Sequence, residues 1–203
     1  MEASVSSNRA YHHGDLRAAL ITASFEVLAE CGLQKFSVAA VARRLNVSSA
    51  APYRHFPDRD HLLAAVSAVA ARDLNSTILA AAATVGPDPG DRLAAAAGAY
   101  VHHVARSGAG LPVIYAAGLS RITVDGRQEH TRTLMATLMD LAAGTGAGTH
   151  REELLLVEAT IAVAHGYIAL FDDGFFTRGH HTTDDIAARA IEAARALTPS
   201  RCP

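Results

Sequence analysis

The sequence predicts an all-α chain: a small three-helix head joined by a long fourth helix to a larger helical body. Three observations carry this. Alanine is heavily used, and alanine is the best helix former. Apolar residues recur at steps of three and four along most of the chain, with no strand-like alternation of any length. Each periodic stretch is bounded by a residue type suited to start or stop a helix.

The first helix is expected at about 15–30. Leu16, Leu20, Ala23, Val27 and Cys31 share one face, widened by Ile21, Phe25 and Leu28. Asp15 sits where a negative charge suits a helix N-terminus, and Gly32 stops the run. Ser37 caps a short second helix at 38–45, since its hydroxyl can accept a free backbone N–H. Asn46 follows, a residue that tolerates the left-handed conformation ending a helix. Ser48 is expected to cap a third helix at about 49–55, with Pro52 near its first turn. Phe56-Pro57-Asp58 breaks the chain and starts the long fourth helix, whose apolar side carries Leu62, Leu63, Val66, Val69, Leu74 and Ile78.

Gly86-Pro87-Asp88-Pro89-Gly90 is the clearest linker. Helices are expected beyond it at about 91–106, 111–118 and 124–143, followed by a glycine-rich loop at 144–148. Thr149 and Glu152 form a Thr-x-x-Glu capping box that opens a helix at about 150–171. This helix is apolar nearly all round and is interrupted by Glu158, His165 and Gly166. Such a helix must be covered on every side, which in a short chain points to a second subunit rather than a membrane. Thr182 and Asp185 cap a last helix at about 184–197.

Composition narrows the function. The 203 residues carry a net charge of −2, with 50% hydrophobic and 19% charged residues. That is ample core material without a strongly basic coat. Residues 1–60 hold seven Lys+Arg against six Asp+Glu, and residues 61–203 hold eleven against fourteen. The head is therefore slightly the more cationic part. Cys31 and Cys202 form no framework, which suits a reducing compartment. Met1 to Ala10 lacks an apolar signal-peptide core, so a cytoplasmic location is expected. No Gly-rich phosphate loop, HExxH or Gly-x-Ser-x-Gly is present, and no cofactor or catalysis is expected. The adjacent pairs His12-His13, His102-His103 and His180-His181 point about 100° apart on a helix and do not match the i, i+4 spacing of helical zinc sites.

Three short helices with a tight turn between the second and third make the minimal helix-turn-helix. The run from Ser37-Val38-Ala39-Ala40-Val41-Ala42-Arg43-Arg44-Leu45 through Asn46-Val47-Ser48-Ser49-Ala50-Ala51-Pro52-Tyr53-Arg54-His55-Phe56 to Pro57-Asp58-Arg59-Asp60-His61-Leu62-Leu63 resembles the signature of the TetR family of repressors. The lead-in Tyr11-His12-His13-Gly14-Asp15-Leu16-Arg17 is similar to that of many members. The resemblance is strong over about 11–70 and one of layout beyond. Asn46 stands where the family commonly has Gly.

The resemblance implies a flexible arm at 1–13, a DNA-binding head at 14–60, and a ligand-binding and dimerisation domain at 61–203. It implies a homodimer on double-stranded operator DNA, released by a small molecule, with no membrane partner. Tyr53, His55 and Arg59 match phosphate-contacting positions. Ser37 and Ser48 could offer hydroxyls and free N–H groups to phosphate. Ala39, Ser49, Ala50 and Ala51 occupy base-facing positions. These side chains are small and lack bidentate readout groups, so sequence choice is expected to lean on DNA shape, half-site spacing, Arg43, Arg44 or Arg54, and the Arg9 arm. Tyr100, His103, Tyr115, Met135, Met139, Phe171 and Phe175 are the expected cavity linings. Leu155, Ile161, His165, Ile191 and Leu197 are the expected dimer contacts. A helical interaction protein without DNA binding, and an activator rather than a repressor, remain open alternatives.

Overall fold

The computed structural model describes residues 13–122, 124, 126–176 and 180–198. Within them all regular structure is helical: α1 (His13–Lys35), α2 (Val38–Arg44), α3 (Arg59–Thr84), α4 (Pro89–Ser107), α5 (Leu111–Ile114), α6 (Arg127–Ala143), α7 (His150–Asp172) and α8 (Thr183–Leu197). Short 3₁₀ turns lie at Pro52–Arg54 and Ala117–Arg121. Of the expected arm at 1–13, residues 1–12, with Arg9, lie outside the described residues, and His13 begins α1.

The head packs α1 and α2 against the start of α3. Leu20, Val27, Leu28, Val38, Val41 and Phe56 are buried there, and burying each such side chain stabilises by about 1.5–3 kcal/mol. Gly32 interrupts α1 at φ 71 and ψ 172, a region essentially closed to other residues. Asp58 starts α3 by accepting the His61 N–H at 2.9 Å. α3 then runs for 26 residues without a break, from the head into the body, where it packs against α4 and α6. One continuous hydrophobic cluster extends from Leu20 to Ala194, so head and body share a core.

In the body, small residues let helices approach closely. A Cβ added at Gly98 of α4 would fall 2.6 Å from Cδ1 of Ile191 on α8. The expected capping box of Thr149 with Glu152 opens α7, and the expected cap of Thr182 with Asp185 opens α8, likewise as a capping box. Their carboxyls, which accept backbone and side-chain hydrogen bonds from the threonines, are held below the usual carboxylate range.

Four boundaries differ from expectation. The third helix is not a full helix: 49–50 is a turn and only Pro52–Arg54 forms one 3₁₀ turn. Pro52 has no N–H to reach the Ser48 carbonyl, which instead accepts Ala51 N–H at 3.0 Å in the tighter pattern. The 86–90 linker is shorter than its composition suggests, because Pro89 begins α4 and Asp88 caps it. The 111–118 helix splits after Ile114. The Ile114 carbonyl accepts from Ser67 Oγ at 2.9 Å and from the Arg127 guanidinium at 3.2 Å, so tertiary donors occupy the acceptor a continuing helix would use. The helix expected from 124 starts at 127, because Gly126 holds φ 75.

Candidate nucleic-acid interface and ligand cavity

The turn between α2 and the 3₁₀ segment is built by hydrogen bonds legible in the sequence. Ser37 Oγ accepts Ala40 N–H at 3.2 Å, capping α2. At the other end Asn46 N–H reaches Arg43 O at 3.1 Å and Val47 N–H reaches Ala42 O at 3.0 Å. This is the Schellman pattern, which requires a left-handed residue at its pivot. Asn46 fills it at φ 54, the one positive-φ residue other than glycine among the described residues.

Beyond this pivot the chain presents an outward row. Ala39, Ser48, Ser49, Ala50, Tyr53 and Arg54 are exposed, and Ser37, Ala51 and His55 are half-buried. Tyr53 is 53% exposed although large and aromatic, so packing does not explain its presence. Pro52 and Phe56 beside it are buried and anchor the segment.

The neighbouring arginines divide into two groups. Arg44 bridges to Glu26 at 3.1 Å and to Glu30, both on α1. These carboxylates raise its already high pKa, Glu30 first, and occupy its charge. Arg59 donates Nε to Phe36 O at 3.1 Å and an Nη to Leu33 O at 2.9 Å, and lies over the Phe36 ring. It straps α3 to the α1–α2 turn, and its Nη1 pairs with the Asp60 carboxylate at 3.2 Å. Arg43 and Arg54 have no ion pair among the described residues and are exposed, leaving two free cations on this face.

The body holds a cavity of about 350 Å³, lined by Leu74, Leu111, Tyr115, Leu134, Met135, Leu138, Val157, Glu158, Ile161, Ala162 and His165. This is the low end of the size range of small-molecule pockets, and the lining is overwhelmingly apolar, as such pockets are. Of the residues singled out in the sequence, Tyr115 and Met135 line it. Tyr100 lies wholly buried behind the wall, its Oη 2.9 Å from His165 Nδ1 and accepting Leu111 N–H at 3.1 Å. His103, Met139, Phe171 and Phe175 do not line it. His103 is buried with both ring nitrogens unpartnered, and burial, with Arg106 nearby, lowers its pKa to about 4. Phe175 is 70% exposed and meets Phe176 edge-on at 5.2 Å.

Two residues expected at a subunit seam, Ile161, 6% exposed, and His165, line the cavity. Glu158, Ile161 and His165 lie at steps of three and four and share one stripe of α7 along the cavity. Leu155 lies one turn earlier on α7 and is 63% exposed. Ile191 and Leu197 also expose apolar surface, Ile191 while seating Cδ1 over Gly98. Sequence reasoning missed Glu158, whose signal was available: with His165 it interrupts an otherwise apolar helix at a seven-residue spacing. It also missed buried Arg127, which donates Nε to Ser67 Oγ at 3.2 Å and whose pKa burial lowers. No local pattern marks Arg127 as buried.

Comparison with known proteins relates the head to a known family. The model of the family described as bacterial regulatory proteins, tetR family, matches residues 20–66, which span α1 to the first turns of α3. The HTH-type transcriptional regulator BetI of Stenotrophomonas maltophilia (strain R551-3) is 34% identical over 79 residues, 39% of this chain and 40% of BetI. The match thus spans less than half the length of that relative. Solved structures align over nearly the whole chain and share the fold. A protein of unknown function from Rhodococcus sp. RHA1 is 24% identical with a TM-score of 0.67, covering 94% of this chain and 98% of its own. PfmR, a TetR family transcriptional regulator from Thermus thermophilus, is 18% identical with a TM-score of 0.62, covering 87% and 97%. RolR in complex with resorcinol is 20% identical with a TM-score of 0.57, covering 91% and 88%. Over residues 20–66 the head is thus similar to the tetR family of bacterial regulatory proteins, and the chain shares its helical fold with these solved structures.

Proposed function

We propose that this protein is a cytoplasmic, sequence-specific DNA-binding transcriptional regulator, a repressor that works as a homodimer and leaves its operator when a small molecule enters the body. The observation that carries the reading is the outward row Ser48, Ser49, Ala50, Tyr53 and Arg54, held on a rigid turn and placed beside unpaired Arg43. Hydroxyls, an exposed phenol and free guanidinium groups suit phosphate contact, while the small residues can approach base edges. Arg59 and Arg44 serve the head's own packing in this reading. Sequence choice rests more on shape and half-site spacing than on base-specific hydrogen bonds.

Dimerisation is supported by α7. By length and composition it is apolar enough to cross a membrane, yet only 33% of its most apolar stretch is buried within one chain. Leu155 and Leu170 stand exposed on it. A second copy packed on α7 and α8 would cover them and set two heads about one DNA turn apart. The cavity adjoins α3 through Leu74, and α3 starts in the head, so filling the cavity can bias the spacing of the heads. A coupling of about 1–3 kcal/mol would weaken DNA binding some 5- to 150-fold.

The test is fluorescence anisotropy on labelled DNA from upstream of the protein's own gene, against scrambled DNA, at two salt concentrations. Tight, salt-sensitive binding that prefers the upstream DNA is expected. Equal and weak binding to both DNAs would count against a sequence-specific regulator of its own promoter.

A further inference from the structure

His165, in the cavity wall, is hydrogen-bonded to Tyr100, and the logic of that pair can be followed atom by atom. Tyr100 is wholly buried, so its phenol proton requires an acceptor inside the protein. Its oxygen already accepts Leu111 N–H at 3.1 Å. Gly110 leaves room for this, since a Cβ there would lie 2.6 Å from Oη. The remaining neighbour is His165 Nδ1 at 2.9 Å. If Nδ1 carried a proton, two donors would face one oxygen and the phenol proton would be stranded. Nδ1 therefore accepts, which leaves Nε2 as the ring nitrogen that carries a proton. Among the described residues Nε2 has no hydrogen-bond partner, and His165 lines the cavity while Tyr100 stands behind it.

We propose that the cavity selects an uncharged, largely apolar molecule bearing one hydrogen-bond-accepting oxygen, a hydroxyl or carbonyl, which takes the His165 Nε2–H. The inference rests on reading the cavity as the effector site. Its chemistry argues against charged ligands of either sign. Among the described residues no Lys or Arg lines the cavity to receive a carboxylate or phosphate. Glu158 itself is exposed and keeps its hydration, so an ammonium group gains little from leaving water to meet it.

Calorimetric titration with four probes on one skeleton tests this: propylbenzene, 4-propylphenol, 4-propylbenzoate and 4-propylbenzylammonium. In the native protein 4-propylphenol should bind at least tenfold tighter than the benzoate or the ammonium. In His165→Phe the affinity ratio of phenol to propylbenzene should fall by about tenfold. Tyr100→Phe, which alters no cavity-lining residue, should lower the same ratio by freeing the imidazole to shift its proton. A merely structural role for Tyr100 would weaken both probes alike. Ala162→Phe should block every probe by filling the cavity. An unchanged ratio in both His165→Phe and Tyr100→Phe overturns the inference. So does a benzoate or an ammonium that binds as well as the phenol; where Ala162→Phe blocks that probe, the cavity reading stands and only the ligand class fails. If no probe binds, or binding survives Ala162→Phe, the cavity reading falls along with the inference.

Discussion

Replacing Gly108 by alanine probes the joint between head and body. Gly108 ends α4 at φ 62 and ψ 1, with its N–H bonded to Val104 O at 2.8 Å. A Cβ at this position would lie 2.4 Å from Ala29 N, 2.5 Å from Leu28 C and 2.6 Å from Ala29 Cα. These are backbone atoms of α1, so no side-chain rotation relieves the overlap, and α1 or α4 must move by about 1 Å to reach ordinary contact. Two costs add. Left-handed backbone in an L-residue costs about 1–2 kcal/mol, and forcing an extra carbon into packed structure costs about 1–3 kcal/mol. Gly146 is an internal control: it also has positive φ, 79, but a Cβ there meets nothing within 4 Å. Gly146→Ala should therefore show the strain alone. Urea unfolding at matched protein concentration should place Gly108→Ala about 1–3 kcal/mol below Gly146→Ala, read as a lower midpoint at unchanged slope. Operator affinity should also fall in Gly108→Ala, because the head is displaced against the body, while Gly146→Ala retains it. Equal destabilisation by the two substitutions would refute the claim that α4 touches α1 without slack.

Three further outcomes follow from the same geometry. Tyr53→Phe should weaken DNA binding by about tenfold, and to a similar degree across operator variants, because a phosphate contact carries no direct base information; anisotropy on several operators measures it, and a loss confined to one base change would oppose a phosphate role. Leu155→Arg should convert the protein to a monomer by light scattering, since it places a charge on the exposed face of α7; a persisting dimer would place the seam elsewhere. Stability should rise with pH across the acid range in part through His103. Its folded pKa of about 4 lies below the ordinary value of 6.5, so the unfolded chain binds the proton more readily. That contribution is complete above about pH 6.5 and lost as pH falls towards 4, amounting to about 2 kcal/mol between pH 7 and pH 5. His103→Leu should flatten the profile in that window, and an unaltered profile would show that the ring is hydrated or paired.

The parts of this protein legible in the sequence are those decided within a few residues. The Ser37 cap, the left-handed Asn46, the two capping boxes and the glycine break at 32 depend on local backbone sterics and on hydrogen bonds spanning three or four positions. Helical periodicity likewise exposed the amphipathic faces, and the signature at 37–63 carried a resemblance to the family whose model matches residues 20–66. What the tertiary structure decided is where distant groups meet. Pro52 and Ala51 suggested a helix, but one missing N–H and the anchoring of Phe56 left a single 3₁₀ turn. Ile161 and His165 belonged to a helix apolar on all sides, and periodicity cannot say which neighbour covers which side. Arg59, a cation on an exposed-looking helix start, found carbonyls 23 and 26 residues earlier. The Ile114 carbonyl was claimed by Ser67 and Arg127 rather than by its own helix, and Tyr100 Oη met His165 Nδ1 from 65 residues away. Side-chain hydrogen bonds depend on approach and angle within a few tenths of an ångström, and that precision arises only once the helices have packed.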